Sequence, residues 1–273
     1  MVQLLSLMFT AASYQLPTIG YQYLAKLARS SFLALLLTLA LAAPTHAHQP
    51  VNLTKAHSKI ERSPILVDGG ISWAVYAKIT KANDARHFRF SLTLGELLEA
   101  QYLIRDRKPE NTLKNSQLPT VTIKSPSGTT LRLDIKERTP FFEQWSNQNY
   151  IYLSRLSTAS EAGIYTVTVR SKRAAEVVIA VGALETRGEV LPIGSSAKSC
   201  PLPVNAGAEI PLASARQLIG VSERAAQLCA TVNKWIYRIA ARDGEQFALT
   251  RDYRIERINV EIENGVITDV TVG

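Results

Sequence analysis

Between Ile65 and Ala183 the apolar residues of this 273-residue chain alternate with polar ones or form short β-branched runs, and this period of two constrains the fold most strongly. Segments 71–79, 87–94, 120–124, 129–135, 150–156, 163–170 and 176–181 each read as a strand. Turn clusters separate them, among them Ser125-Pro126-Ser127-Gly128 and Ala159-Ser160-Glu161-Ala162-Gly163. Short strands with one apolar face each predict an all-β sandwich over residues 50–185. Segment 97–118 is polar and interrupted, so it reads as a long excursion between strands. Segment 141–150 (Phe141-Phe142-Glu143-Gln144-Trp145-Ser146-Asn147-Gln148-Asn149-Tyr150) gathers aromatics and amides. On a loop that chemistry suits a sugar or a peptide, and packing against the sandwich edge is the alternative use of the same rings.

From Gly182 to Pro211 the composition shifts to Gly, Pro, Ser and small residues, which predicts a linker over 186–212 and a second unit over 213–273. In that unit Ser214-Ala215-Arg216-Gln217 has the form of a capping box. A second helix starts at Ser222, with Ala225, Leu228, Cys229 and Val232 on one stripe beneath a face carrying Glu223, Arg224 and Gln227. Trp235 reads as a core plug. Strands follow over 236–241, 257–262 and 266–272, the last two joined by Asn264-Gly265, a strong hairpin signal. In the middle strand Ile258, Val260 and Ile262 share one face while Arg257, Asn259 and Glu261 share the other. The first face is expected against the helix. The second is left to segment 243–255.

Lys26 and Arg29 precede the apolar run 32–43, and Pro44-Thr45-His46-Ala47 offers small residues before a cut near His48. Residues 1–47 therefore read as a signal peptide with an upstream prefix, and the mature protein is expected to be secreted or periplasmic. The apolar run falls short of the ~20 residues a bilayer-spanning helix needs, so no stable membrane anchor is expected. In an oxidising compartment Cys200 and Cys229 can bridge; the alternative is that Cys229 stays a free thiol on the helix stripe. The net charge of +8 is spread along the chain and reads as solubility, not as a nucleic-acid footprint. No nucleophile elbow, zinc-binding His pair, phosphate-binding glycine loop or paired-cysteine metal motif is present, so neither catalysis nor a metal or cofactor is expected.

Leu218-Ile219-Gly220, the helix from Ser222, and above all Thr250-Arg251-Asp252-Tyr253-Arg254-Ile255-Glu256-Arg257-Ile258-Asn259-Val260 resemble the potato inhibitor I group and its bacterial relatives, the I78 peptidase inhibitors. The resemblance runs from about Ala213 to Gly273. It implies a small α+β domain and a secreted serine-type endopeptidase inhibitor with a rigid, substrate-like reactive loop formed by Leu249, Thr250, Arg251, Asp252, Tyr253 and Arg254. In it Arg251 is P1, Asp252 is P1′ and Thr250 is P2. Arg257 and, less directly, Asn259 support the loop, with Arg257 expected to donate to both the Asp252 carboxylate and the Thr250 hydroxyl. The implied partner is a trypsin-like protease with an acidic pocket, or a subtilisin-like one with a wide pocket. The bacterial relatives carry cysteines just before the Leu-Ile-Gly segment and just before the final Gly; here Cys200 lies further upstream and Val272 holds the second place. The sandwich resembles the jelly-roll domains of secreted bacterial peptidases through Asp84-Ala85-Arg86-His87-Phe88-Arg89-Phe90, Pro126-Ser127-Gly128 and Gly163-Ile164-Tyr165-Thr166-Val167-Thr168-Val169. The competing expectation is a non-inhibitory sandwich that binds a glycan or another cell-surface ligand, with the C-terminal unit as scaffold.

Overall fold

Alternation of side chains builds most of the molecule. The computed structural model describes residues 48–273 apart from 195 and 206, and the expected signal peptide over 1–47 lies outside the described residues. The first strands are β1 (Gln49–Leu53), β2 (Ile65–Leu66), β3 (Trp73–Ile79), β4 (Asp84–Leu92), β5 (Leu97–Arg105) and β6 (Thr120–Lys124). They are followed by β7 (Thr130–Arg132), β8 (Thr139–Glu143), β9 (Gln148–Ala159), β10 (Gly163–Ser171), β11 (Ala175–Val181) and β12 (Val190–Leu191). One six-stranded sheet has the order β1-β3-β11-β5-β9-β8, and another has the order β12-β2-β4-β10-β6-β7.

The two sheets share one core. Val75, Ala77, Tyr102, Ile104 and Ile179 come from the first, and Phe88, Phe90, Ile123, Tyr165 and Val167 from the second. Phe90 and Tyr165 are directly opposite across β4 and β10, and their rings stack with centroids 5.2 Å apart. Full burial of such side chains contributes about 1.5–3 kcal/mol each, which makes this shared core the main stabilising feature.

Segment 97–118 is not the excursion its polarity suggests. Its first half is the central strand β5, where Leu98, Ala100, Tyr102 and Ile104 are buried while Glu99 and Gln101 point the other way. The period of two was present there, diluted by the polar stretch after Arg105. That stretch is a connection pinned by Arg138, whose guanidinium donates to the carbonyls of Leu113 at 2.5 Å and Asn111 at 3.3 Å and to Asn115 Oδ1 at 3.0 Å. Segment 141–150 likewise is no free loop. It forms the β8–β9 hairpin, with Phe141 opposite Tyr150.

The stretch expected as a linker is held down at several points. Val190 pairs with Leu66, the Ser199 amide donates to the Gln217 carbonyl at 3.2 Å, and Cys200 is bridged to Cys229, 29 residues away. After it come α1 (Leu212–Ala215), α2 (Glu223–Asn233), β13 (Ile236–Arg242), β14 (Glu245–Gln246), β15 (Arg257–Glu263) and β16 (Val266–Val272), with the sheet order β14-β13-β15-β16. Ser222 caps α2 by accepting the Ala225 amide at 3.1 Å. The capping box read at Ser214 does not form, because α1 begins one turn earlier behind Pro211 and places Ser214 inside it. Asn264 and Gly265 take φ of 50° and 73°, the left-handed pair a two-residue hairpin requires.

A second core joins Ala225, Ala226 and Cys229 of α2 to Ile258, Val260 and Ile262 of β15, and Trp235 closes it at 7% exposure. Ile65, Val67 and Leu191 belong to the same cluster. Beside them Arg224 pairs with Asp68 at 2.9 Å. Among the described residues no helix is long and apolar enough to cross a membrane.

The disulfide closes a 29-residue loop in the unfolded chain, for which the chain-entropy relation gives about 3–4 kcal/mol. The double variant Cys200→Ala/Cys229→Ala is expected to lose about that much in urea unfolding; a loss below about 1 kcal/mol would show that the bridge does not constrain the unfolded chain.

Candidate functional site

The parallel pairing of β13 with β15 sets Ile236 opposite Arg257 and Arg238 opposite Asn259. Because Arg257 and Asn259 share a face, three polar side chains converge on the side of the sheet away from α2. Segment 243–256, which links the two strands, is exposed throughout and crosses that side. It turns first at Asp243 and Gly244, with φ of 50° and 83°, into the short pairing of β14.

Asp252 is the centre of the crossing segment. Its carboxylate accepts the Thr250 hydroxyl, the Arg254 Nε at 2.8 Å and the Arg257 Nη1 at 3.2 and 3.3 Å. Arg257 Nη2 donates to the Asp252 main-chain oxygen as well. The hydrogen bond from Thr250, then those from Arg254 and Arg257, hold the Asp252 carboxyl far below the usual range despite some desolvation. Arg257 is 4% exposed, so its side chain is fixed where it emerges beneath the segment.

Arg257 does not reach Thr250 as expected. The Thr250 hydroxyl is held by Arg238, whose Nη1 donates to it at 3.0 Å while its Nε donates to Asn259 Oδ1 at 2.7 Å. No sequence signal marks Arg238, since Ile236-Tyr237-Arg238-Ile239 has no clean alternation and the parallel register comes only from the assembled sheet. Asn259 supports from one step further back: it orients Arg238 and, among the described residues, makes no hydrogen bond to the loop itself.

A single oxygen ties these side chains together. The Gly273 main-chain oxygen accepts Arg257 Nε at 2.8 Å, Asn259 Nδ2 at 2.8 Å and Arg238 Nη2 at 3.4 Å. Gly273 has φ of 127°, and a Cβ there would stand 2.4 Å from the Tyr253 ring, so glycine alone lets that ring lie against the strand end. Tyr253 donates its hydroxyl to Glu209, and this bond raises the phenol above its usual value. Leu249 is 42% exposed at the other end.

Between the two anchored side chains, Arg251 is exposed and, among the described residues, takes no part in the network. The arrangement therefore presents an exposed cationic side chain from a segment whose neighbours on both sides are held from below. Among the described residues no group of three His, Cys, Asp or Glu is placed to hold a metal ion.

The pH dependence follows from the Asp252 shift. A carboxyl whose folded pKa is depressed stabilises the fold above its unfolded value, near 3.8, and loses that contribution only as pH falls through the lower folded value. In NMR titration the Asp252 carboxyl carbon is expected to keep its ionised shift through the range in which an ordinary aspartate protonates; a midpoint near 3.8 would mean that the clamp is not formed in solution.

A scan against protein-family models and a search of the curated proteins both found no match to this chain.

Proposed function

We propose that this chain is a secreted or periplasmic inhibitor of serine endopeptidases, in which Arg251 enters the specificity pocket and the chain acts by binding, without catalysis of its own. In this proposal residues 50–185 form a jelly-roll-like sandwich, 186–212 the connection and 213–273 a potato-inhibitor-I-like unit. One observation carries it: Thr250 and Asp252, on either side of an exposed arginine, are both gripped by guanidinium groups rooted in the sheet below.

The chemistry follows from that grip. A protease that attacks the Arg251 carbonyl forms an acyl-enzyme and frees the Asp252 amine as leaving group. In an ordinary peptide the amine diffuses away and water completes hydrolysis. Here Arg257 holds both the side chain and the main-chain oxygen of Asp252, so the amine stays beside the acyl carbon. Effective molarities of held groups reach about 10⁵–10⁸ M, and religation outruns hydrolysis. A segment already ordered before binding also loses little entropy on association, which favours tight binding. Arginine at P1 fits a pocket with a buried carboxylate, the trypsin-like arrangement; a wide subtilisin-like pocket is the other candidate. The Cys200–Cys229 bridge is consistent with an oxidising compartment.

The whole mature chain is the form to test, because Ile65, Val67 and Leu191 complete the core beneath the loop. Titrated against trypsin and subtilisin, it is expected to inhibit trypsin at near-stoichiometric amounts. Arg251→Ala should weaken trypsin inhibition about 10³-fold, roughly 4 kcal/mol, with an unchanged melting temperature. Arg257→Ala should convert the inhibitor into a substrate cut after Arg251, and Arg238→Ala should raise the cutting rate less. Rapid, complete hydrolysis of the unaltered chain at Arg251 without inhibition would overturn the reading.

A further inference from the structure

The outer face of the first sheet has a second feature that the inhibitor reading does not use. Residues of β3, β11 and β5 that alternate with the core-facing ones point outward there: Ala74 and Tyr76, Val178 and Ala180, Gln101 and Leu103. An outward sheet face in water is ordinarily polar. Here Ala74, Leu103, Val178 and Ala180 are each at most 8% exposed, because the β8–β9 hairpin lies over them with Phe141, Trp145, Tyr150 and Tyr152. Small residues in the middle and rings around them leave a hollow of about 220 Å³. That is below the 300–1,000 Å³ of sites for drug-sized ligands, and it suits a single ring.

The charges around the hollow are matched within the protein. Arg105 lies 5.1 Å from the centre of the Tyr76 ring and pairs with Glu176 at 3.5 Å. Arg155 lies 4.6 Å from the centre of the Tyr152 ring and donates twice to Glu137, at 2.9 and 2.7 Å. Glu143, with His48 nearby, accepts the Trp145 and Ser146 amides at 2.9 and 2.7 Å. Two of the rings already carry a cation, which leaves a cationic ligand poorly served. Among the uncharged polar groups that line the hollow are the Tyr76 and Tyr150 hydroxyls, 3.2 Å apart, and the Gln101 side-chain amide, which makes no hydrogen bond among the described residues.

From aromatic walls, single-ring size and neutral hydroxyl and amide groups together, we propose that this hollow is a binding subsite for one hexopyranose unit of a glycan. A pyranose ring has a face of C–H groups, whose positive edges suit the negative faces of aromatic rings, and a rim of hydroxyls that an amide can read with both donor and acceptor. Trp145, 66% exposed, stands at the mouth where the next unit of a chain would pass.

The test is calorimetric titration of the full mature chain with cellotriose, maltotriose, chitotriose and mannotriose. Saturable binding of at least one is expected, weakened tenfold or more by Trp145→Ala, whose exposed ring leaves the core untouched, and about fivefold or more by Gln101→Leu. Circular dichroism on both variants confirms that they are folded. Absence of binding across the panel, binding unaltered in both variants, or tighter binding of tetramethylammonium or indole than of every sugar would each overturn the proposal.

Discussion

The Arg257 guanidinium is the contact on which the candidate site depends. It sits at the start of β15, almost wholly buried, and it meets the Gly273 oxygen, the Asp252 carboxylate and the Asp252 main-chain oxygen together. Removing a guanidinium from water costs several kcal/mol unless its donors find acceptors, and here three acceptors converge on it. Two of them belong to Asp252, on an exposed stretch that has no regular structure around that residue. The segment is therefore ordered because the sheet needs an acceptor as much as the segment needs a donor. Arg238 and Asn259 extend the same exchange to Thr250, so the backbone on each side of Arg251 is fixed from below.

That platform is in turn fixed by what lies under it. The apolar face of β15 packs on α2, α2 is bridged through Cys229 to Cys200, and Ile65, Val67 and Leu191 from the sequence of the larger sheets fill the same core. The Arg224–Asp68 pair lies along that boundary; being partly exposed it contributes at most about 1 kcal/mol, so apolar packing carries the junction. The fold thus holds the exposed arginine through a chain of successively more buried contacts.

How much of this the sequence discloses depends on whether a feature is local. The alternation of β15, the Asn264-Gly265 turn, the Ser222 cap and the stripe of α2 each follow from a few neighbouring residues, and the structure has them at or within two residues of the expected places. Seven strands of the larger sheets are equally local. β5 is masked in the sequence because its apolar half runs straight into the polar connection that follows. Arg238 was hidden for a different reason: its role arises from the parallel register between β13 and β15, a relation between segments separated by 14 residues of exposed chain. The hollow on the outer sheet face is further still from local reading. Ala74, Val178 and Leu103 look like ordinary strand residues until three strands are placed side by side and a hairpin is laid over them.

The Gly273 oxygen gives the site a mechanical character. Three donors from two strands meet on the last residue of the edge strand's run, so the stiffness of the exposed segment is governed from a point more than twenty residues away in sequence. That oxygen works like the knot in a drawstring. Slack in β16 would reach Thr250 through Arg238 and Asp252 through Arg257 at once, loosening both sides of Arg251 before any apolar contact in the core beneath had to give.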